Sequence, residues 1–333
     1  MRLSFNELLY LEKEEIPLYI KIKDELIRQI LEIRRDPITG FRSRINKSVA
    51  SKPRYYTEDT VNIKDCVFCK DNVFEMTPNF DKKKKFVLES TVLFPNAYPY
   101  SKNHLIIVPN YRQHVRYIKD ISILDFVNSF LILKEYIAEM QIREDSYIYI
   151  NLNRGYYAGA SQDHLHFQVI IEENPTVYHN ILIEKSKEYF YRYNRFFLED
   201  LVKFEKENKE RFIYEGKMIS FISSFAPFRN NEVFGISKTF GILTLPDESL
   251  RLFAEELYKF LLAYESIVDN YNLTIMDVSF VRDSKALPFI RILQRNKNDI
   301  GYLELLHLEY VVSTLPEDTA KILREKLSEV TKT

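Results

Sequence analysis

Glycine is scarce in this chain, with seven among 333 residues, and tryptophan is absent. Only two cysteines occur, Cys66 and Cys69. One such pair makes no disulfide framework, and a lone Cys-x-x-Cys in a reducing compartment points to a metal or redox pair. No run of 18 uninterrupted apolar residues is found, which argues against a membrane-spanning helix. Glu7, Glu12, Glu14 and Glu15 interrupt the apolar residues near the N-terminus. No signal peptide is therefore expected, and a cytoplasmic location is. Excess charge is missing too: 47 basic and 48 acidic residues leave a net charge of −1. That balance offers no general attraction for nucleic acid, and neither nucleic acid nor a membrane is expected as a partner. The run Lys82–Lys85 reads as a solvated loop.

What is present is ample material for a core, since 46% of residues are hydrophobic and 29% charged. The length allows two domains, or one large one built from two similar halves. The scarcity of glycine makes its placement informative. Gly155 and Gly159 both fall in the stretch Asn151–Ile171, where backbone must turn sharply or pass close to something. In the same stretch His164, His166 and Gln168 alternate with Leu165, Phe167 and Val169. Alternation places the three polar side chains on one face of a strand. Polar groups beside a Gly/Ser turn rich in free N–H groups suit a phosphate site.

Along the chain, Leu26, Ile27, Ile30, Leu31 and Ile33 stand at helical spacing and predict a helix over 17–33, ended by the turn Asp36-Pro-Ile-Thr-Gly40. Strands are expected over 86–95 and 103–109, a long amphipathic helix over 121–141, and a strand over 146–152 leading into the central stretch. After a charged helical connection over 181–212 the same order recurs. Strands are expected over 218–225, 233–236, 240–245, 276–281 and 288–294, and helices over 247–270 and 316–330. The pattern reads as a divergent internal duplication of an α+β unit. Aligning 288–294 with 163–169 sets Phe289 against His164 and Arg291 against His166, so chemistry should reside in the first half.

His166 is the candidate nucleophile, because an imidazole can attack phosphorus and form a covalent intermediate. Cys66, Cys69, His114 and His164 offer a Cys₂His₂ set for a closed, structural zinc site. His104 competes with His114 as third ligand; His114 is preferred because it follows a strand end, whereas His104 begins one. Asn96, Asn153, Ser161 and Gln168 are candidate substrate contacts, with ordinary turn chemistry as the alternative for the two asparagines. His179 and His307 have no supporting cluster and read as surface or core residues.

Together these residues resemble a known family. Ile33-Arg-Arg-Asp-Pro-Ile-Thr-Gly40, Cys66-Val-Phe-Cys69 with Thr77-Pro78, Phe94-Pro-Asn-Ala-Tyr-Pro99 and Gly159-Ala-Ser-Gln-Asp-His-Leu-His-Phe-Gln168 run in the order of the motifs of galactose-1-phosphate uridylyltransferases. The resemblance extends to the wider nucleotidyltransferase and phosphorylase branch of the histidine triad superfamily. It implies an α+β fold of two tandem histidine-triad-like halves, each an antiparallel sheet with packed helices. The expected boundaries are an N-terminal helical extension over 1–32, a catalytic half over 33–180 and a degenerate second half over 181–333.

It further implies a nucleotidyl group carried on His166, with Gln168 donating a hydrogen bond to a phosphoryl oxygen. Gly159, Ser161 and Asn153 would bind phosphate, and Asn96 the nucleoside. Lys52 would be the remnant of an N-terminal basic pair, and zinc would be held by Cys66, Cys69, His114 and His164. The implied substrates are a nucleotide sugar with a sugar phosphate or inorganic phosphate, and the implied assembly is a homodimer. Gln168 is the transferase and phosphorylase residue at a position where hydrolases of the superfamily carry His. Leu165 replaces the family's Pro, and Phe289-Ile-Arg291 replaces a second His-x-His, so no iron-type site is expected.

Overall fold

The computed structural model describes residues 13–22, 25–35, 42–48, 66–81, 84–142, 145–297 and 299–330. Lys52 and the turn 36–40 lie outside them. The helix expected over 17–33 is instead a β-hairpin. Strands β1 (Lys13–Ile22) and β2 (Glu25–Arg35) pair antiparallel, and β3 (Arg42–Asn46) completes a three-stranded sheet. The helical reading of the N-terminal extension is thereby corrected. The overlooked signal is the alternation of Ile16, Leu18, Ile20 and Ile22, which buries Leu18 and Ile20 with period two. β2 then presents Gln29 and Leu31 to the interior on the same alternation.

Two runs of five strands follow, and each folds the same way. The first comprises β4 (Phe86–Leu88), β5 (Thr91–Pro95), β6 (Asn103–Val108), β7 (Tyr147–Arg154) and β8 (Phe167–Glu172). The second comprises β9 (Phe212–Glu215), β10 (Ile219–Ser223), β11 (Val233–Ser237), β12 (Tyr271–Asp277) and β13 (Phe289–Gln294). They merge into one ten-stranded sheet ordered β4-β5-β6-β8-β7-β12-β13-β11-β10-β9, so each half repeats the order first-second-third-fifth-fourth. Every neighbouring pair is antiparallel. The halves meet where β7 pairs with β12, Asn151 facing Thr274 and Asn153 facing Asn272. The architecture is α+β, with two tandem halves sharing a single sheet.

Helices α1 (Ile123–Glu139) and α4 (Asp247–Glu265) occupy matching places, each between the third and fourth strand of its half. Both pack on the same sheet face through Phe126, Phe130, Phe253 and Phe260, against Phe167, Val169, Phe221 and Ile290. Ser122 caps α1 by accepting from the Asp125 backbone N–H at 3.1 Å. Helix α5 (Pro316–Val330) adds Ala320, Leu323 and Leu327 to this core. Helices α2 (Val177–Tyr193) and α3 (Phe197–Asn208) cover part of the opposite face around Ile222, Ile236 and Phe289.

Three other expectations change. The strand expected over 276–281 lies instead at Tyr271–Asp277. Residues 240–245 form no strand, because the Ile242 and Leu243 N–H groups donate to Asp277 Oδ1 and Ser279 Oγ at 3.0 and 3.1 Å. Lys85 is buried rather than solvated, its ammonium held by the carbonyls of Thr77 and Pro78 and by Asn79 Oδ1 at 2.7–3.1 Å.

Candidate active site and metal centre

The segment bearing Cys66 and Cys69 lies against the turn 110–115 that follows β6 and against the approach to β8. Cys66 Sγ stands 3.5 Å and Cys69 Sγ 3.3 Å from His164 Nδ1, and Cys69 Sγ 3.5 Å from His114 Nδ1. All four ligand atoms lie within 4.8 Å of one another. Bonds of about 2.3 Å to sulfur and 2.0–2.1 Å to nitrogen at tetrahedral angles require S···N separations of about 3.6 Å, so the set fits a four-coordinate divalent metal. Its chemistry fits as well. Burial and the neighbouring Cys66 push the Cys69 thiol up to about 12, an opposition to thiolate that a divalent cation would offset. Burial pushes His164 down to about 3, leaving a neutral imidazole whose Nε2 is 2.9 Å from the Asn110 carbonyl. That bond places the proton on Nε2 and leaves Nδ1 as the lone-pair donor. His104 stands apart from the cluster, in contact with Gln168 and Asn96.

His166 lies one residue before β8 and is 3% exposed. Its Nδ1 is 2.8 Å from the His164 carbonyl, which fixes the proton there and turns the Nε2 lone pair outward from the backbone. Nε2 has no hydrogen-bond partner among the described residues. Burial lowers its affinity for a proton, opposed by the bond to His164, so the ring is neutral at neutral pH. Phe68 packs its ring 5.1 Å from His166, 6.2 Å from His164 and 5.8 Å from Phe94, tying His166 to the segment that carries Cys66 and Cys69.

Gln168, on β8, has its carbonyl oxygen taken by two donors. The Tyr100 hydroxyl donates to Oε1 at 2.9 Å, and His104 Nε2 is 3.0 Å away. The Tyr100 N–H donates to His104 Nδ1 at 3.4 Å, and burial pushes His104 down to about 4, so a neutral ring carries its proton on Nε2. With Oε1 saturated, the Gln168 NH₂ is the group left to donate to a ligand. Tyr100 was not among the sequence candidates and His104 was weighed only as a third metal ligand; the pattern Pro99-Tyr-x-x-x-His104 was the trace of their shared contact with Gln168.

Of the remaining candidates, Gly159 has φ +81° and nothing within 4 Å of the place a Cβ would take. Its left-handed backbone therefore borders open space, unlike Gly155, where a Cβ would lie 2.1 Å from Asn270 Oδ1. Ser161 is exposed on the same turn, and among the described residues the N–H groups of 161–163 have no partner. Such unpaired N–H groups suit an anion. Asn153 accepts from Asn272 Nδ2 at 2.7 Å and borders a cavity of about 280 Å³ with Gln168. Asn96 is engaged in its own turn, accepting from the Tyr98 N–H at 2.8 Å, with Nδ2 3.1 Å from His104 Nε2. That turn is clamped by the N-terminal sheet. Gln29 donates to the Ala97 carbonyl, Asn46 to that of Pro99 and Arg44 to that of Tyr100, at 2.9, 2.9 and 2.6 Å.

The cavity also corrects the alignment of the halves. Gln168, Asn151, Thr274 and Arg291 form one row across β8, β7, β12 and β13. His104 faces Ile170, two residues beyond Gln168, and Glu232 stands likewise two beyond Arg291. Arg291 pairs with Glu232 as Gln168 pairs with His104, and the Phe228 N–H donates to Glu232 as the Tyr100 N–H does to His104. Arg291 is thus the counterpart of Gln168, and Phe289 that of His166. A two-residue slip preserves strand alternation, which is why the pattern alone did not exclude it.

The same fold is found in solved structures. A uridylyltransferase is 17% identical, superposing with a TM-score of 0.70 over 89% of this chain and 98% of its own. The chain has the uridylyltransferase fold. The ADP-glucose phosphorylase of Arabidopsis thaliana, solved with bound ADP-glucose, shares that fold at a TM-score of 0.66, with 20% identity over 89% of this chain and 98% of its own. A protein of Archaeoglobus fulgidus described as uncharacterized is 26% identical over 323 residues, 93% of this chain and 97% of its own. No protein-family model matches the chain. Among the described residues, no helix is long and apolar enough to cross a membrane.

Proposed function

We propose that the chain is a nucleotidyltransferase that moves a nucleoside monophosphate between a nucleotide sugar and a sugar 1-phosphate by way of His166. The carrying observation is the neutral His166 ring, its Nδ1 proton held by the His164 carbonyl, one pleat from a Gln168 amide oriented to donate. In the first step the Nε2 lone pair forms a P–N bond to the α-phosphorus. The P–O bond to the leaving sugar phosphate breaks, and its electron pair departs with that phosphate. In the second step an incoming phosphate oxygen forms the new P–O bond, the P–N bond breaks, and its pair returns to the imidazole. The Gln168 NH₂ and the unpaired N–H groups of residues 161–163 stabilise charge on the phosphoryl oxygens through both steps. Asn153 orients the phosphate, Asn96 the nucleoside, and Lys52 belongs to the substrate-binding set. Cys66, Cys69, His114 and His164 hold a structural zinc, which fixes the segment entering β8. The working state in this reading is a homodimer, checked by light scattering in solution.

The test is the intact mass of the protein after incubation with UDP-glucose or ADP-glucose. The expected result is a nucleotidyl adduct that is absent in His166→Ala; an adduct that persists in His166→Ala sinks the reading. A phosphorylase of ADP-sugars or diadenosine polyphosphates is the second reading, favoured by the likeness to the ADP-glucose phosphorylase. Discharge of the adduct by inorganic phosphate, yielding a nucleoside diphosphate with no sugar phosphate required, distinguishes it.

A further inference from the structure

The cavity beside Gln168 changes character along its length. Its first-half wall carries neutral hydrogen-bonding groups, including Tyr100, Asn151 and Asn153, and its far wall carries Arg291. Among the described residues, no carboxylate lines it. Arg291 is 8% exposed and uses only Nε, which donates to the fully buried Glu232. Nη2 is buried without a partner, and Nη1 makes no hydrogen bond among the described residues. The guanidinium is held rigidly by the Phe228 ring at 3.5 Å and by Tyr178 at 4.6 Å. Phe228 is itself stacked on Tyr310 at 4.0 Å. Behind the cavity Arg295 donates to Asn272 Oδ1 at 2.9 Å, turning that amide's NH₂ toward Asn153 and the Ala158 carbonyl. A fixed, largely desolvated guanidinium whose two amino groups carry no hydrogen bond among the described residues suits a carboxylate or phosphate.

Position sets what such an anion belongs to. Arg291 lies three strands from Gln168 along one row, so their backbones are roughly 14 Å apart at ordinary strand spacing. The guanidinium therefore serves a group remote from the reacting phosphorus. We infer that the cavity from Gln168 to Arg291 is an acceptor subsite, and that the preferred acceptor carries a second anionic group, held by Arg291. This deepens the nucleotidyltransferase reading and rests on it. The acceptor's phosphate oxygen forms the P–O bond as the P–N bond to His166 breaks and returns its pair to the ring, while the distal anion stays on the guanidinium.

The experiment isolates the nucleotidylated enzyme and times its discharge by glucose 1-phosphate and by glucose 1,6-bisphosphate. The bisphosphate is expected to discharge it with a kcat/KM roughly tenfold higher, the worth of one charged hydrogen bond. Arg291→Gln should abolish the preference, read as the ratio of the two discharge rates in the same variant, and Arg291→Lys should retain part of it. Should Arg291→Gln fail to fold, Arg291→Lys, which keeps a charge against Glu232 but not the guanidinium fork, is the variant that decides, and a preference undiminished in it counts against the subsite. Equal discharge by both acceptors in the parent protein, or a preference that survives Arg291→Gln, overturns the subsite while the transferase reading stands. If no adduct forms, the transferase reading fails and calorimetric binding of the bisphosphate decides the subsite. Loss of binding in Arg291→Gln supports it, and equal binding overturns it.

Discussion

Gln168 and Arg291 hold corresponding places on the fifth strands of the two halves, each with one side chain of the preceding strand region, His104 or Glu232, bonded to it. The neutral pair and the ionic pair differ in what their loss should do. Removing one partner of a buried ion pair leaves an uncompensated charge. Glu232→Ala should therefore destabilise the protein by about 3–5 kcal/mol, whereas His104→Ala should cost about 1–3 kcal/mol. Urea unfolding measures both. A Glu232→Ala variant as stable as the parent would show that the pair carries no such burden.

In the proposed reaction Tyr100 acts through the Gln168 amide. Tyr100→Phe removes one of two donors that fix Oε1, so nucleotidylation of His166 should slow by roughly tenfold with little change in nucleotide affinity. The time course of the mass adduct, at saturating and at limiting nucleotide sugar, separates the two effects. A weakened affinity with an unchanged rate contradicts this role.

The Cys66, Cys69, His114 and His164 cluster predicts a metal-dependent stability. Purified protein should contain about one equivalent of zinc by atomic emission, and Cys69→Ser should lack it. Loss should lower Tm by roughly 5–10 °C, as a few kcal/mol does in a chain of this size. A full zinc content in Cys69→Ser excludes the assigned ligand set.

Acid stability follows from two buried histidines outside that cluster. Burial pushes His104 and His179 each down to about 4 in the folded chain, against about 6.5 when unfolded. The unfolded chain then binds more protons, so stability is fully present above pH 6.5 and lost as pH falls toward about 4. Among the described residues the hydrogen-bond partner of His179 is the Tyr149 hydroxyl, 3.1 Å from Nδ1, and its Nε2 is buried without a partner. His179→Gln should flatten the decline in urea midpoint between pH 6.5 and 4. An unchanged slope would falsify the assignment.

Much of the site was legible because its residues are crowded into Asn151–Ile171 and Cys66–Cys69, where glycine, histidine and cysteine are otherwise scarce. The structure brings Cys66, Cys69, His114 and His164 together as their types suggested. The N-terminal hairpin was misread because Leu26, Ile27, Ile30 and Leu31 satisfy helical spacing, and tertiary pairing with β1 and β3 overrides that local pattern. The far wall of the cavity was hidden for a different reason. Arg291 reaches Gln168 only through the β7 to β12 pairing, whose 123-residue separation of Asn151 and Thr274 leaves no local trace. His104 was weighed as a metal ligand because chain order cannot say which face of a strand meets which neighbour.

The seam between β7 and β12 has a consequence for dissection of the chain. Seven residues of each strand face one another there, from Tyr271 opposite Arg154 to Asp277 opposite Ile148. Cutting the chain between its halves would bare β7 as a long, unprotected edge, and such edges recruit another strand. An isolated first half should therefore not behave as a small folded monomer. It should self-associate through that edge, with two copies of β7 standing where β7 and β12 now meet.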